Sequence, residues 1–200
     1  MFKERVAYWS GPSAAAGGIL QLLPTSGWFP NIADTTQLWI GLIGFGLTAV
    51  GLAGLYLHFR ADETRGSVMA IGLALAGVLL VSINMVIRLI KGAEETASIL
   101  ILVAIGMLLL IVGLTIVGII TISRHALGML SFVPLALGIG YIAIMISFGL
   151  VLSSPSLVFI AQIVHTLTIV GWLLLGVALW QAHREFVVPK NIGNAQGSEG

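Results

Sequence analysis

The chain has no cysteine and very few charged residues, and each shortage excludes a class of protein or site. Without cysteine there is no disulfide, no thiolate metal ligand and no cysteine nucleophile. Lysine, arginine, aspartate and glutamate make up only 8% of the 200 residues, whereas about a quarter of a soluble domain is charged. A soluble domain would need charge over most of its surface, so this class is excluded.

The charged residues occur in clusters that separate long uncharged runs. Hydrophobic residues make up 58% of the chain. About 20 helical residues cross the hydrocarbon core of a bilayer, and the last run is long enough to cross twice. The runs do not alternate polar and apolar residues as barrel strands do, so helices are predicted. The uncharged runs cover residues 6–33, 35–59, 66–87, 96–123 and 125–183.

The sequence therefore predicts an all-α integral membrane protein, a single bundle of six transmembrane helices with short loops and no soluble domain. The last run breaks at Ser153-Ser154-Pro155-Ser156, where serines and a proline favour a turn. Residues 187–200 are rich in polar and small residues, which predicts a disordered cytoplasmic tail. The predicted spans are about 7–28, 38–59, 67–87, 98–123, 126–152 and 157–181.

The first span is the weakest, because residues 7–24 contain glycines, serines, a glutamine and two prolines. Five spans are the alternative. With six spans and an inside N-terminus, seven of the nine lysines and arginines are cytoplasmic, in agreement with the positive-inside rule, whereas five spans give no bias. Trp9 and Trp28 are separated by about 28 Å of helix, which fits one tryptophan at each interface. We expect six spans and cytoplasmic termini.

Small residues predict where the helices approach one another, because close packing drives helix association in lipid. Pro134 is expected to bend the fifth span by freeing the carbonyl of Leu130. The predicted small-residue faces are Gly44, Thr48 and Gly51 in the second span, Gly72 and Ala76 in the third, and Gly106 and Gly113 in the fourth.

His165 is the one ionisable residue well inside a span, and intramembrane polar groups are candidates for function. Gln162 lies one turn away on the same face. One interpretation is a cofactor site, in which His165 ligates a haem or chlorophyll-type pigment with Gln162 beside it. The other is a neutral histidine that is buried and hydrogen-bonded within the protein. No cofactor is predicted on the second interpretation, which we favour.

Two further polar sets lie near the predicted span ends. Asn84 and Arg88, one turn apart, form an outer rim that is either an interface anchor or a gate. Histidine and arginine also pair at three predicted inner ends, where they either bind an anion or lipid headgroup or simply favour helix C-termini. The inner set is His58, Arg60, Arg124, His125, His183 and Arg184.

No catalytic motif or metal-ligand spacing is present in the sequence, so an enzyme is not predicted. The leading expectation is a non-catalytic accessory or structural subunit that packs against other transmembrane subunits or copies of itself in the bilayer. The alternatives are a small transporter or channel-like protein for a weakly polar solute, and a haem- or chlorophyll-associated redox subunit using His165. A net charge of +1 predicts no nucleic-acid partner.

The many small residues and leucines resemble the composition of small multi-pass proteins of bacterial plasma membranes. That resemblance implies a plasma-membrane location in a prokaryote.

Overall fold

The computed structural model of the chain describes residues 2–22, 33–60, 65–91, 97–154 and 158–187. These residues form six α-helices and contain no strand. A short 3-10 turn, Gly128–Leu130, lies between the fourth and fifth helices. The helices are α1 (Phe2–Leu22), α2 (Asp34–Arg60), α3 (Arg65–Lys91), α4 (Ala97–Arg124), α5 (Val133–Ser153) and α6 (Val158–Val187).

Five of the six helices are long and apolar enough to cross a membrane, which confirms the prediction of a membrane helical bundle. These are α2 to α6. The exception is α1, which has 21 residues but is more polar, as the weakness of the first predicted span indicated. Trp9 is 58% exposed on α1, whereas Trp28 and most of the predicted tail lie outside the described residues.

The helices form a closed ring in which each helix packs against its neighbours in the chain and α1 packs against α6. The paired helices are antiparallel, because at the glycine contacts residues later in one helix lie against residues earlier in its partner. On α1, for example, Gly17 lies against Thr48 of α2, and Gly44 of α2 lies against Gln21. An even number of helices lets every neighbour in the ring be antiparallel, so α1 completes the alternation between α6 and α2.

The predicted small-residue face of α2 is confirmed, and its partner is α1. A Cβ atom added to Gly51 would lie 2.7 Å from the Cβ atom of Ala14. A Cβ atom on Gly17 would lie 2.6 Å from the backbone nitrogen of Thr48. Glycine is required at these positions because the two helix backbones approach more closely than any side chain allows.

The face predicted from Gly72 and Ala76 is not the face of α3 that packs inside the bundle. Gly72 is exposed, and a Cβ atom added to it would meet nothing within 4 Å. The packed face of α3 instead carries Ala70, Ala74 and Gly77, which contact α4. The two glycines predicted for α4, Gly106 and Gly113, do lie in this contact.

The fifth helix starts later than predicted, at Val133, because α4 ends in a tight turn. His125 has a φ of +49°, and its N–H donates to the carbonyl of Ile122. The N–H of Ala126 donates to the carbonyl of Thr121, which completes a Schellman motif at the end of α4. The predicted bend is wrong, since Pro134 lies in the first turn of α5, where proline removes no internal hydrogen bond.

Candidate functional site

Three helices meet at a buried polar cluster formed by Gln21 of α1, Tyr141 of α5 and Trp172 of α6. The Gln21 Nε2 atom donates to the Tyr141 hydroxyl at 2.5 Å, and the Trp172 Nε1 atom donates to the same hydroxyl at 3.0 Å. The three side chains are at most 3% exposed. Gly18 lies against the Trp172 ring, and only a residue without a side chain fits there. We call these three side chains the Gln21 cluster.

At least one polar group of the Gln21 cluster is left without a partner in the described residues in either orientation of the Gln21 amide. With Nε2 as the donor, the Gln21 Oε1 atom has no partner in the described residues. If the amide is turned over, Tyr141 can donate to Oε1 while still accepting from Trp172, and Nε2 then lacks an acceptor. The cluster contains donors and acceptors but no charged group, so it is suited to holding helices together or to contacting a neutral polar molecule.

The interior is therefore more polar than the sequence predicted, and none of these three residues was predicted to form a site. Trp172 was the available signal: it lies midway along α6, far from the interfaces where membrane tryptophans concentrate. A mid-span tryptophan that needs an acceptor for its N–H is better placed inside a bundle than in lipid. Pairing it with Tyr141 and Gln21 requires the ring order, which no local pattern contains.

His165 is 1% exposed, so the prediction that it is buried is confirmed. Its Nδ1 atom donates to the Ala161 carbonyl at 2.7 Å within α6. His165 shares the inward face of α6 with Thr168 and Trp172, which are also buried. Gln162 is half-buried, and its backbone carbonyl accepts a hydrogen bond from the Thr166 hydroxyl. A role of His165 and Gln162 in binding a cofactor stays a prediction.

Contacts at the predicted inner end divide its residues into two groups. In the first, His58 of α2 donates from Nε2 to the Ala126 carbonyl at 3.2 Å, which brings it to the turn that follows Arg124 and contains His125. Thr121 fixes the same turn, because its hydroxyl contacts the Ser131 carbonyl at 2.6 Å. Arg60 ends α2, and its side chain lies outside the described atoms.

The second group lies at the seam between α1 and α6. His183 of α6 packs edge-on against Tyr8 of α1, with ring centroids 6.0 Å apart. The Arg184 guanidinium carbon lies 3.8 Å from the centroid of the Trp180 ring. The histidine–arginine pairs that looked equivalent in the sequence therefore have different surroundings.

The outer-rim residues also differ from each other. Asn84 is buried, whereas Arg88 is half-buried near the end of α3. Met85, between them, reaches α2 at Gly41. An anchor and a gate remain open interpretations of this pair. In the described part of the chain, no three histidine or acidic side chains are grouped as a metal site would need.

Comparison of the chain with protein-family models, curated proteins and solved structures found no match.

Proposed function

We propose that the protein is a non-catalytic, multi-pass membrane protein that serves as an accessory or structural subunit, with α1 as a sixth crossing. The observation that carries the proposal is that the polar side chains of α1 are buried inside the bundle. Ser10, Ser13 and Gln21 are all buried, although α1 alone is too polar to resemble the other spans. Burial of these groups inside the ring removes them from lipid, where an unpaired polar group costs several kcal/mol.

The position of α1 supports a crossing. Its residues from Ser10 to Gln21 lie along α2 from Gly54 to Gly44, which is the middle of that helix. Two neighbouring helices, α2 and α6, therefore flank α1 in the part of the bundle that spans the hydrocarbon core. An interfacial helix lying on the membrane surface would not pack against the middle of both.

Cysteine labelling tests the six crossings and the cytoplasmic termini. The chain has no cysteine, so single cysteines at Ala93, Ser154 and Ser198 report separately to an impermeant thiol reagent on intact cells. We expect labelling at the first two positions and none at Ser198 until the cells are opened. Labelling of Ser198 on intact cells would reject this topology.

Two features support a subunit role: large side chains fill the interior of the bundle, and small residues lie on its outer surface. Large side chains such as Trp172, Tyr141 and Phe59 fill the interior and are almost completely buried. On the outer side of α3, the exposed Gly72 and the half-buried Ala76 lie one turn apart, between the exposed side chains of Met69 and Leu79. Two small residues at this spacing let another transmembrane helix approach closely, so this face is our candidate for contact with a partner subunit or a second copy.

A pair of leucine substitutions tests the subunit role. Gly72→Leu should abolish co-purification of a partner at fixed stoichiometry in mild detergent, without altering the melting temperature of the isolated chain. Gly46→Leu is the matched control, because Gly46 of α2 is also exposed with nothing within 4 Å of an added Cβ atom but has no small residue four positions away. Equal retention of the partner by both variants, or no partner with the wild type, would reject the proposed role.

A second candidate function, transport of a weakly polar solute, is favoured by buried acceptors. The Gln21 Oε1 and Thr48 Oγ1 atoms are buried and have no hydrogen-bond partner in the described residues. A neutral solute with hydroxyl or amide donors that passed between the helices would satisfy these acceptors. Uptake of glycerol or urea into proteoliposomes, lost in Gln21→Leu but retained in Gly46→Leu, would select this function over the structural one.

A further inference from the structure

The first two turns of α1 and the last two turns of α6 form an exposed surface that is both aromatic and cationic. We call it the α1–α6 rim, and its members are Arg5, Tyr8, Trp9, Trp180, His183 and Arg184. The tyrosine and both tryptophans are about half exposed, and both arginines are exposed. Gly11 and Gly176 bring the two helix backbones together directly beside this surface.

The aromatic rings of the α1–α6 rim are held in place by contacts with one another. Tyr8 packs edge-on against Trp9, with 5.4 Å between ring centroids, and against His183 on the neighbouring helix. Exposed tyrosine and tryptophan at the end of a membrane helix lie at the headgroup level, because each has an apolar body and a polar tip. Toward the membrane centre, α6 continues with the exposed apolar residues Val177 and Leu173. The rim therefore adjoins the lipid-facing surface.

Arg184 is arranged to bind an anion while it stacks on Trp180. Its guanidinium carbon lies 3.8 Å from the ring centroid. Stacking uses the flat face of the guanidinium and leaves its in-plane N–H groups available as a fork that matches a phosphate. At these two helix ends the sequence has Lys3, Arg5 and Arg184 against two carboxylates, Glu4 and Glu185. The balance of charge therefore attracts an anion.

We propose that the α1–α6 rim binds the phosphodiester headgroup of an anionic phospholipid. This inference rests on the proposed membrane-spanning arrangement. Lipid is the occupant that fits both halves of the surface, since its headgroup matches the arginines and its acyl chains match the apolar residues below the aromatic rings. Arg124, which is exposed beside the α4–α5 turn, is an arginine outside the rim and serves as the comparison.

Tryptophan quenching by brominated lipids tests the proposal. The full chain is reconstituted in phosphatidylcholine vesicles that contain, at equal mole fraction, either brominated phosphatidylglycerol or brominated phosphatidylcholine. We expect the anionic lipid to quench more strongly, with an apparent preference of about fivefold, which corresponds to roughly one arginine near an anionic surface. The preference should disappear in the double variant Arg5→Gln/Arg184→Gln and persist in the matched control Arg124→Gln. Melting temperatures of both variants check that the fold is intact.

The other results of the quenching experiment would reject either the lipid site or the membrane-spanning arrangement. Equal quenching by the two lipids in the wild type, or a preference that survives in the double variant, would overturn the lipid site. Reversal of the preference by millimolar inorganic phosphate would also overturn it, in favour of a site for soluble phosphate. No quenching by either lipid would instead reject the membrane-spanning arrangement, because Trp39 is exposed on α2 and should contact lipid in any transmembrane orientation.

Discussion

Replacing Gly51 with leucine tests whether the contact between α1 and α2 determines the stability of the bundle. A Cβ atom at this position would lie 2.7 Å from the Ala14 Cβ atom and 2.9 Å from its Cα atom. Carbon atoms in favourable contact are about 3.5–4.0 Å apart, so the helices must separate by about 1 Å even for a methyl group. That separation also loosens the contacts of Gly17 and Gly44, which lie along the same seam.

We expect Gly51→Leu to reduce the free energy of unfolding by about 1–3 kcal/mol, which is typical of overpacking. For a chain of this length, that change lowers the melting temperature by about 2–4 °C per kcal/mol. The assay is thermal unfolding in one detergent, followed by tryptophan fluorescence. Gly72→Leu is the matched control, because the same substitution there enters open space and should change stability by less than about 0.5 kcal/mol. Equal melting temperatures for the two variants would refute the close-packing argument.

Further substitutions examine the turn after α4, the Gln21 cluster and the buried histidine. His125→Gly should leave the stability of the protein unchanged or raise it, whereas His125→Val should lower the free energy of unfolding by about 1–2 kcal/mol. The reason is that the left-handed conformation disfavours a branched side chain. Equal unfolding midpoints for the two variants would contradict this. Tyr141→Phe should lower the free energy of unfolding by about 1–3 kcal/mol, because it removes the acceptor of two buried donors. The loss should be smaller when Gln21 is already leucine. Strict additivity of the two substitutions in a double-mutant cycle would argue against the cluster. His165→Ala should lower stability by roughly 1–3 kcal/mol without changing the absorption spectrum, while loss of a Soret or chlorophyll band would select the cofactor interpretation.

The positions of the helices could be predicted because charge is scarce. Each cluster of charged residues marks a span end, and the break at Ser153 and Ser154 agrees with the end of α5 at Ser153. The start of α5 could not be predicted in the same way. The turn that delays it has His125 at the left-handed position, where glycine is the usual signal.

The packed face of α3 was mispredicted for a physical reason. This helix has two faces with small residues, one with Gly72 and Ala76 and one with Ala70, Ala74 and Gly77. In a soluble protein, the hydrophobic side of the helix would identify the buried face. In lipid the surroundings are as apolar as the interior, so hydrophobicity does not distinguish the two faces. The available signal was polar: Ser67 and Asn84 share the buried face with Ala70, Ala74 and Gly77.

The Gln21 cluster was not predicted because its members lie far apart in the sequence. Gln21 is close to Tyr141 only because α1 closes the ring beside α6. The position of α1 depends on glycine contacts on both of its sides. Each of these small residues looks unremarkable alone, and their joint effect becomes visible only when the ring is assembled.

Ring closure by α1 and α6 also has a consequence for synthesis of the protein on the ribosome. Of the six helices, α1 is the least able to enter lipid alone and is made before the others, whereas α6, which covers its second side, is made after them. An early pair of α1 and α2 is available as soon as α2 has been inserted, because their contact is local. The acceptor for Gln21 arrives only with α5, and the surface that receives Gly11 and Gly18 arrives only with α6. Closure of the ring is therefore a long-range event that follows translation of all six helices, and until then α1 depends on its contact with α2.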